Sequence, residues 1–537
     1  MPYTKPGAEV TYVQTTVSPN LTTPSLPAVV IGKAYKIHDI APNSSFQDEY
    51  SDTYSNSLGT TVTLSGIVTA DNIDSNSVYV DLIARGNRLH LDATTDFTYS
   101  AGDVTISGSL GSDWDGAAVK IGYREQLMTL NELTTYEGFE NIQDRIGKID
   151  IFNQLAWGVN WAMVNAGLTV NGYGINSATE TTGHTAAISD LALEEDAYTL
   201  APMTNSASIH TLYQAHCVSM SNATNKKERI LAAGKAIPWV NSSGVSVTGS
   251  DAATVDKTET MNTIADAAFS NLQSRTFWIY PDVDFVETTL HISQLKRTYL
   301  NAAFGGAYGT TSGEFAKLKS TITLTDGTKL FAGANITDAV WAQLIAESEA
   351  SGNALYFFDA LVPIPGYYNA AVVAGQRAGN QPEQPLTNLP ITGPAQIKYG
   401  SDFFSETQLN IAAGAGTYWL WQRNKASSIV CRHQLSTDRS SIQTQEMSIR
   451  SQLDYTGKFL RNGVAFYIGR NTITPAFIKF LQTVVSAQGN FLVREGRLNG
   501  FKLISMAVDP NASDTILCTI EVLPKFPVNY IKFTLNF

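Results

Sequence analysis

Charge is scarce in this chain. Of 537 residues, 16% are Asp, Glu, Lys or Arg, well below the quarter usual for soluble domains. The balance is acidic, 36 basic against 48 acidic residues, and no Lys/Arg cluster stands out. Both facts argue against a nucleic-acid-binding surface. Cysteine is nearly absent as well. Cys217, Cys431 and Cys518 lie far apart with no C-x-x-C pair, so no disulfide framework is expected, and they read as small core residues in a reducing compartment. No run approaches the ~20 apolar residues that cross a bilayer. Met1-Pro2-Tyr3-Thr4-Lys5-Pro6 lacks the apolar stretch of a signal peptide. The expectation is a soluble protein made in the cytoplasm, without membrane insertion and outside the general secretory route.

Recognisable chemistry is missing too. The seven histidines are scattered. His210 and His216 are six apart, about 240° around a helix, and cannot share a metal ion. Asp282 and Asp284 bracket Val283 after a strand-like run, where α/β folds place ligands, yet carboxylates there more often cap loops. Gly305-Gly306-Ala307-Tyr308-Gly309 follows a helix-like segment and fits no phosphate-binding pattern. No G-x-S-x-G elbow occurs, and Glu194-Glu195-Asp196 reads as a solvated loop. No catalytic residue, metal ligand set or cofactor is expected.

What the chain does have is apolar and β-leaning. Hydrophobic residues make up 43% and aromatics 10%, which requires packed cores. The length implies three to four domains. Abundant Thr, Ser, Asn, Ala and Gly on a weakly charged surface suit extensive protein contacts.

The two ends are strand-competent. Within 529–537, Ile531, Phe533, Leu535 and Phe537 alternate with mostly polar residues, the period of a strand with one apolar face. Near the other end, 9–17 is rich in Val, Thr and Tyr, among them Val10, Tyr12 and Val13. Either both strands complete this chain's own sheets, or they are donated to neighbouring copies by strand addition.

Between them the expected order is a strand-like arm at 1–25, a core strand and entry at 26–39, and an inserted β-sandwich or barrel at 40–125. An α/β domain at 126–395 and an α+β domain at 396–527 follow, with a donor strand at 528–537. Ala28-Val29-Val30-Ile31-Gly32 reads as a strand buried on both faces. In the insertion, 78–83, 97–99, 104–106 and 118–121 are short strands separated by turn residues. Strands are then expected at 198–203, 237–240, 276–281 and 354–359, and helices at 209–218, 261–272, 290–304 and 369–378; repeated βα units imply a largely parallel sheet. The Pro-rich 379–390 reads as an extended crossing between domains. Beyond it come strands at 418–422, 428–432 and 516–523, one helix over 442–461, and another from Thr474-Pro475. The fold class is α/β plus α+β, multidomain.

This order resembles the tail sheath proteins of contractile-tailed bacteriophages. Pro6-Gly7-Ala8-Glu9-Val10 is similar to the start of that family's N-terminal arm, and Pro27-Ala28-Val29-Val30-Ile31-Gly32-Lys33-Ala34 to its first core strand and turn. Ala374-Gly375-Gln376-Arg377-Ala378-Gly379 is similar to its helix-to-extended junction, and Leu409-Asn410 and Ile429-Val430-Cys431-Arg432 to stretches opening its C-terminal domain. Tyr418-Trp419-Leu420-Trp421-Gln422-Arg423 departs from the Gly-Arg-Thr-like strand end of many relatives.

The resemblance implies a subtilisin-like middle domain without proteolysis, since no Ser-His-Asp arrangement is identifiable. It implies a structural subunit, not an enzyme, that polymerises helically around a tail tube and contracts to drive the tube through the host envelope. Partners would be other copies of the chain, the tube protein, and baseplate and tail terminator proteins. The place would be the tail sheath of a virion, assembled in the host bacterial cytoplasm and serving genome ejection. The intersubunit segments would be the arm around Val10, Tyr12 and Val13 and the strand bearing Ile531, Phe533, Leu535 and Phe537. Lys479, Arg494 and Arg497 are candidates to face the tube. Two other readings stay open: the sheath of a phage-derived bacteriocin or injection machine, and an α/β enzyme with a β-sandwich accessory domain and Asp282/Asp284 as its site.

Overall fold

The computed structural model describes residues 24–38, 54–63, 72–73, 77–84, 87–91, 95–128, 130–150, 153–167, 169–177, 179–247, 254–281, 283–291, 316–318, 322–323, 329–330, 357–397, 404–424, 427–529, 531 and 533–534. The chain divides into a large unit, Leu26–Arg450, and a small one that contains Ser451–Phe537.

The large unit is built on an eight-stranded sheet. Its parallel strands are β1 (Ala28–Gly32), β10 (Val170–Gly174), β11 (Thr199–Pro202), β12 (Ile230–Gly234), β13 (Thr276–Tyr280) and β19 (Tyr418–Trp421). They lie in the order β19-β13-β12-β11-β1-β10, with antiparallel β20 (Val430–His433) and β9 (Leu133–Tyr136) at the two edges. Every residue of β1, β10, β11 and β12 is buried, as a sheet covered on both faces requires. One cover is α3 (Glu180–Leu191) and α4 (Ala207–Met220), packed on Val29, Ile31, Leu200 and Leu231. On the same side, α5 (Lys257–Asn271) and α7 (Glu406–Gly414) pack on Tyr280 and Trp419. The opposite face takes α2 (Gln154–Ala166) and α6 (Tyr368–Gly379), which cross at very close range. A Cβ on Gly375 would stand 2.1 Å from the Ala162 carbonyl oxygen, and one on Gly379 2.2 Å from that of Ala166. Only glycine permits this backbone-to-backbone contact.

Two insertions interrupt this scheme. The first leaves β1 through β2 (Tyr35–His38) and returns through β8 (Ala118–Gln126), its antiparallel partner. It comprises a sheet β2-β8-β4-β5, with β4 at Tyr79–Ala84 and β5 at Asn87–His90, and a sheet β3-β7-β6, at Thr60–Thr63, Asp103–Ile106 and Phe97–Ser100. Val62, Val80, Leu82, Phe97, Val104, Val119 and Ile121 form its own core. The second insertion follows β13. Strands β14 (Val283–His291) and β18 (Phe357–Pro365) pair over their full nine residues, with β15 (Ala316–Leu318) beside β18 and a short hairpin of β16 (Ile322–Thr323) and β17 (Lys329–Leu330).

Several expectations change here. The strand expected at 237–240 is β12 instead: Ile230-Leu231-Ala232-Ala233-Gly234 is the uninterrupted apolar run, whereas Pro238 lacks the N–H a ladder needs. Leu290 and His291 belong to β14, not to a helix, and 292–304 lies outside the described residues. The boundary drawn at 395/396 does not divide the sheet, because β19 pairs with β13 and β20 with β19. The Pro-rich stretch is likewise no simple crossing. It lies along β20, where Asn388 N–H donates to Cys431 O and Ile391 N–H to Ile429 O. The fully buried Arg377 guanidinium gathers the carbonyls of Asn380, Gln381 and Gln384. That edge is thereby covered.

The helix expected over 442–461 is two, α8 (Ile442–Gln445) and α9 (Met447–Ala465). Glu446 between them is extended, bridges Leu435 and meets His433 at 2.7 Å. α9 then runs across the division at Arg450 into the small unit.

Candidate assembly site

The small unit is a helical pair with one two-stranded sheet. α10 (Pro475–Arg494) starts on Thr474, whose hydroxyl accepts from Phe477 N–H at 3.1 Å, with Pro475 in the first turn. The sheet is β21 (Gly500–Asp509) paired with β22 (Ala512–Leu523). Asp509 turns the chain by accepting Asn511 N–H at 2.8 Å across Pro510. One sheet face, with Phe501, Leu503, Met506, Ile516 and Ile520, packs on Leu460, Val464, Ile478, Leu481 and Val485 of the helices. Gly489 lets the Phe501 ring lie against α10, where a Cβ would come within 2.0 Å.

Strands of ten and twelve residues are long for a sheet of two. Among the described residues no third strand pairs with either edge. The other face exposes Leu517 and Leu523, and Ile504, at a register shift between Leu503 and Ser505, is exposed as well. Sequence reading found β22 and missed β21. The signal was present in the apolar run 503–508 followed by the Asp-Pro-Asn turn.

The segment after β22 is held at its root and exposed beyond it. Gln452 of α9 acts as a surrogate peptide group: Lys525 N–H donates to its Oε1 at 2.8 Å, and its Nε2 donates to Lys525 O at 3.0 Å. Asn499 Nδ2 reaches Pro524 O at 3.3 Å. Past this clasp Val528 is 79% exposed, Ile531 71% and Phe533 84%. The described residues Ile531, Phe533 and Thr534 belong to no strand, and no described strand pairs with them. Leu535, Phe537, Val10, Tyr12 and Val13 lie outside the described residues.

The three candidate tube-facing cations do not form one patch. Lys479 and Arg494 are fifteen residues apart on one helix, about 22 Å. Arg494 sits over Phe491 at 5.6 Å and Arg497 over Tyr455 at 5.0 Å.

Asp284 lies in β14, and Asp282 is outside the described residues, as is 305–313. No cluster of three metal-capable side chains occurs among the described residues, and no described helix is long and apolar enough to cross a membrane. The histidines of α3 and α4 serve the core. His184 Nδ1 lies 3.0 Å from Tyr213 Oη, His210 Nε2 donates to Thr204 O at 2.9 Å, and His216 Nε2 accepts from the Arg229 guanidinium at 2.5 Å. Burial, aided by Lys33, pushes His184 down to about 4; burial and Lys235 push His210 to about 3; burial and Arg229 push His216 to about 4. All three are neutral structural groups at neutral pH.

In class the molecule is a mixed α/β multidomain protein with several sheets. Among the solved structures it is similar to are sheath proteins. The sheath complex of an extracellular contractile injection system in its contracted state is 10% identical, with 76% of this chain and 87% of that chain covered and a TM-score of 0.47. The sheath tail protein of Listeria innocua is 10% identical over 94% of each chain, TM-score 0.40. That of Desulfitobacterium hafniense is 10% identical over 94% of this chain and 98% of its own, TM-score 0.37. No protein-family model and no curated protein matches the chain.

Proposed function

We propose that this chain is the structural subunit of a contractile phage tail sheath, polymerising helically around a tail tube, with copies linked by exchanged terminal strands. The observation that carries the reading is the β21–β22 sheet, whose two edges lack a partner among the described residues, beside a clasped segment whose apolar side chains stand in solvent. An unpaired edge is a template for strand addition. In a neighbour, 529–537 would add five or so main-chain hydrogen bonds at about 1 kcal/mol net each. Burial of Ile531 and Phe533 would add roughly 1.5–3 kcal/mol apiece. The arm around Val10, Tyr12 and Val13 would take the other edge.

A subtilisin-like middle domain is part of this proposal, as is the domain division of the sequence apart from the boundary at 395/396, which the pairing of β19 with β13 removes. Head-to-tail contacts that do not close on themselves build a helical tube. Strand links would hold while broader faces slide, so that contraction drives the tube through the host envelope and delivers the genome. Tube, baseplate and terminator proteins are the partners of this reading, and the bacterial cytoplasm the place of assembly. The chain acts through contacts and not as an enzyme.

Negative-stain electron microscopy across a concentration series tests it. Hollow striated tubes of uniform width are the expected result, and deletion of 529–537 should leave a folded monomer that makes none. Wild-type-like tubes from the truncated chain would refute strand exchange. A small discrete oligomer that cognate tube fails to convert would favour an enzyme. Tubes whose native particles lack DNA would assign the chain to a bacteriocin or injection machine.

A further inference from the structure

Formal charge is unevenly divided along the chain. Ser451–Phe537 holds nine Lys/Arg and five Asp/Glu, and residues 1–450 hold 27 and 43. An acidic molecule therefore carries a basic small unit, and the basic charge has a focus. Where α9 turns into α10, Phe466, Ile468 and Phe480 are exposed together with Arg470 and Lys479. The rings hold one another. Tyr467 stands edge-on to Phe466 at 5.6 Å and to Phe480 at 5.2 Å, and Arg470 lies 4.3 Å over Phe466. Single exposed apolar residues are ordinary; a contiguous, mutually packed aromatic knob with Arg470 stacked on it is the composition of an interface anchor.

The large unit presents the complementary composition. On α1 (Phe139–Ile146) and the approach to it from β9, Phe139 is exposed, as are Glu132 ahead of β9 and Glu137, Glu140 and Asp144, with Arg145 the only cation of that helix and Lys148 exposed just past it. We infer that the aromatic, cationic tip between α9 and α10 docks on this acidic face of α1 and β9 in a second copy of the chain. The inference rests on the polymer reading and specifies one of its contacts. Because the two patches are different surfaces of one chain, the contact repeats head to tail instead of closing a two-fold dimer. Opposite charge steers and registers the encounter, and the rings supply the buried area.

Sedimentation and electron microscopy of the full chain decide it, using R470E/K479E, E137K/E140K and the four-fold combination, each first checked for an unchanged melting profile. Each charge reversal should raise the concentration needed for polymer at least about tenfold, and the combination should recover most of the loss, which general destabilisation would not do. Wild-type-like polymer from both reversals overturns the contact. So does a variant that polymerises normally but no longer binds the tail tube, which would give the tip to the tube. A wild-type chain that makes no polymer even with cognate tube added refutes the sheath reading instead. Its self-association at low salt then still scores the contact, and a monomer indifferent to both salt and charge reversal refutes it.

Discussion

The two units of this chain solve the problem of a sheet edge in opposite ways. In the large unit β20 is flanked by the Pro-rich 386–391, whose backbone bonds to it and whose course is held by the buried Arg377. In the small unit β21 and β22 run ten and twelve residues with no third strand among the described residues. A covered edge leaves another chain nothing to pair with, whereas an edge without a third strand is a template for strand addition. The difference teaches where to look for function: in the segment whose backbone is left incomplete, not in the largest core.

Mutations should separate the two regions. The largest effect is expected from Gly375→Val, which drives a side chain into the α2 backbone at Ala162. Soluble folded protein should be lost, and a variant with a wild-type melting profile would show that the α2–α6 crossing can open. Next in size is acid. His184, His210 and His216 bind protons more weakly folded than unfolded, so their contribution is complete above about pH 6.5 and is lost as pH falls toward about 4 for His184 and His216 and about 3 for His210. Each contributes a slope of up to ~1.4 kcal/mol per pH unit in that window. Ser451–Phe537 contains no histidine, so hydrogen exchange should show the large unit loosening first on acidification; simultaneous loss would contradict the assignment.

Leu231→Ala, in the fully buried β12, should cost about 2–5 kcal/mol in chemical denaturation. Leu517→Ala, half exposed on β22, should cost under about 0.5 kcal/mol in the monomer. Comparable costs would mean the outer face of the hairpin is already covered. Phe533→Asp should be silent in the monomer, since the ring is exposed, and should abolish polymer by placing a charge in the buried face of a donated strand. Normal assembly would show that this face stays wet.

Part of the large unit was legible, where its strands are continuous apolar runs, but β9, α1, α2, β10 and α3, all between 127 and 197, were not. Ala28-Val29-Val30-Ile31-Gly32, Thr276-Phe277-Trp278-Ile279-Tyr280 and the helix at 369–378 are found where pattern puts them. Long-range placement was not legible. Nothing local to Tyr418-Trp419-Leu420-Trp421 says that it lies beside β13, where Trp419 stacks on Tyr280 at 4.7 Å. The break at Glu446 was hidden for the same reason, since it depends on partners eleven and thirteen residues away. At the candidate site the alternation of Ile531 and Phe533 was visible, whereas the clasp at Gln452 spans 73 residues and has no local signature.

That clasp has a mechanical consequence. The segment beyond Lys525 is tied by two hydrogen bonds to Gln452 of α9 in addition to its backbone link to β22, and α9 is covalently continuous with the large unit through Arg450. Under the proposed strand exchange, tension would enter a nineteen-residue helix through this side chain as well as β22 through the backbone of Pro524, so the clasp shares the load with the hairpin. A Gln452→Ala chain would move the point of attachment down the segment, toward β22. Its links would lengthen under load before they broke.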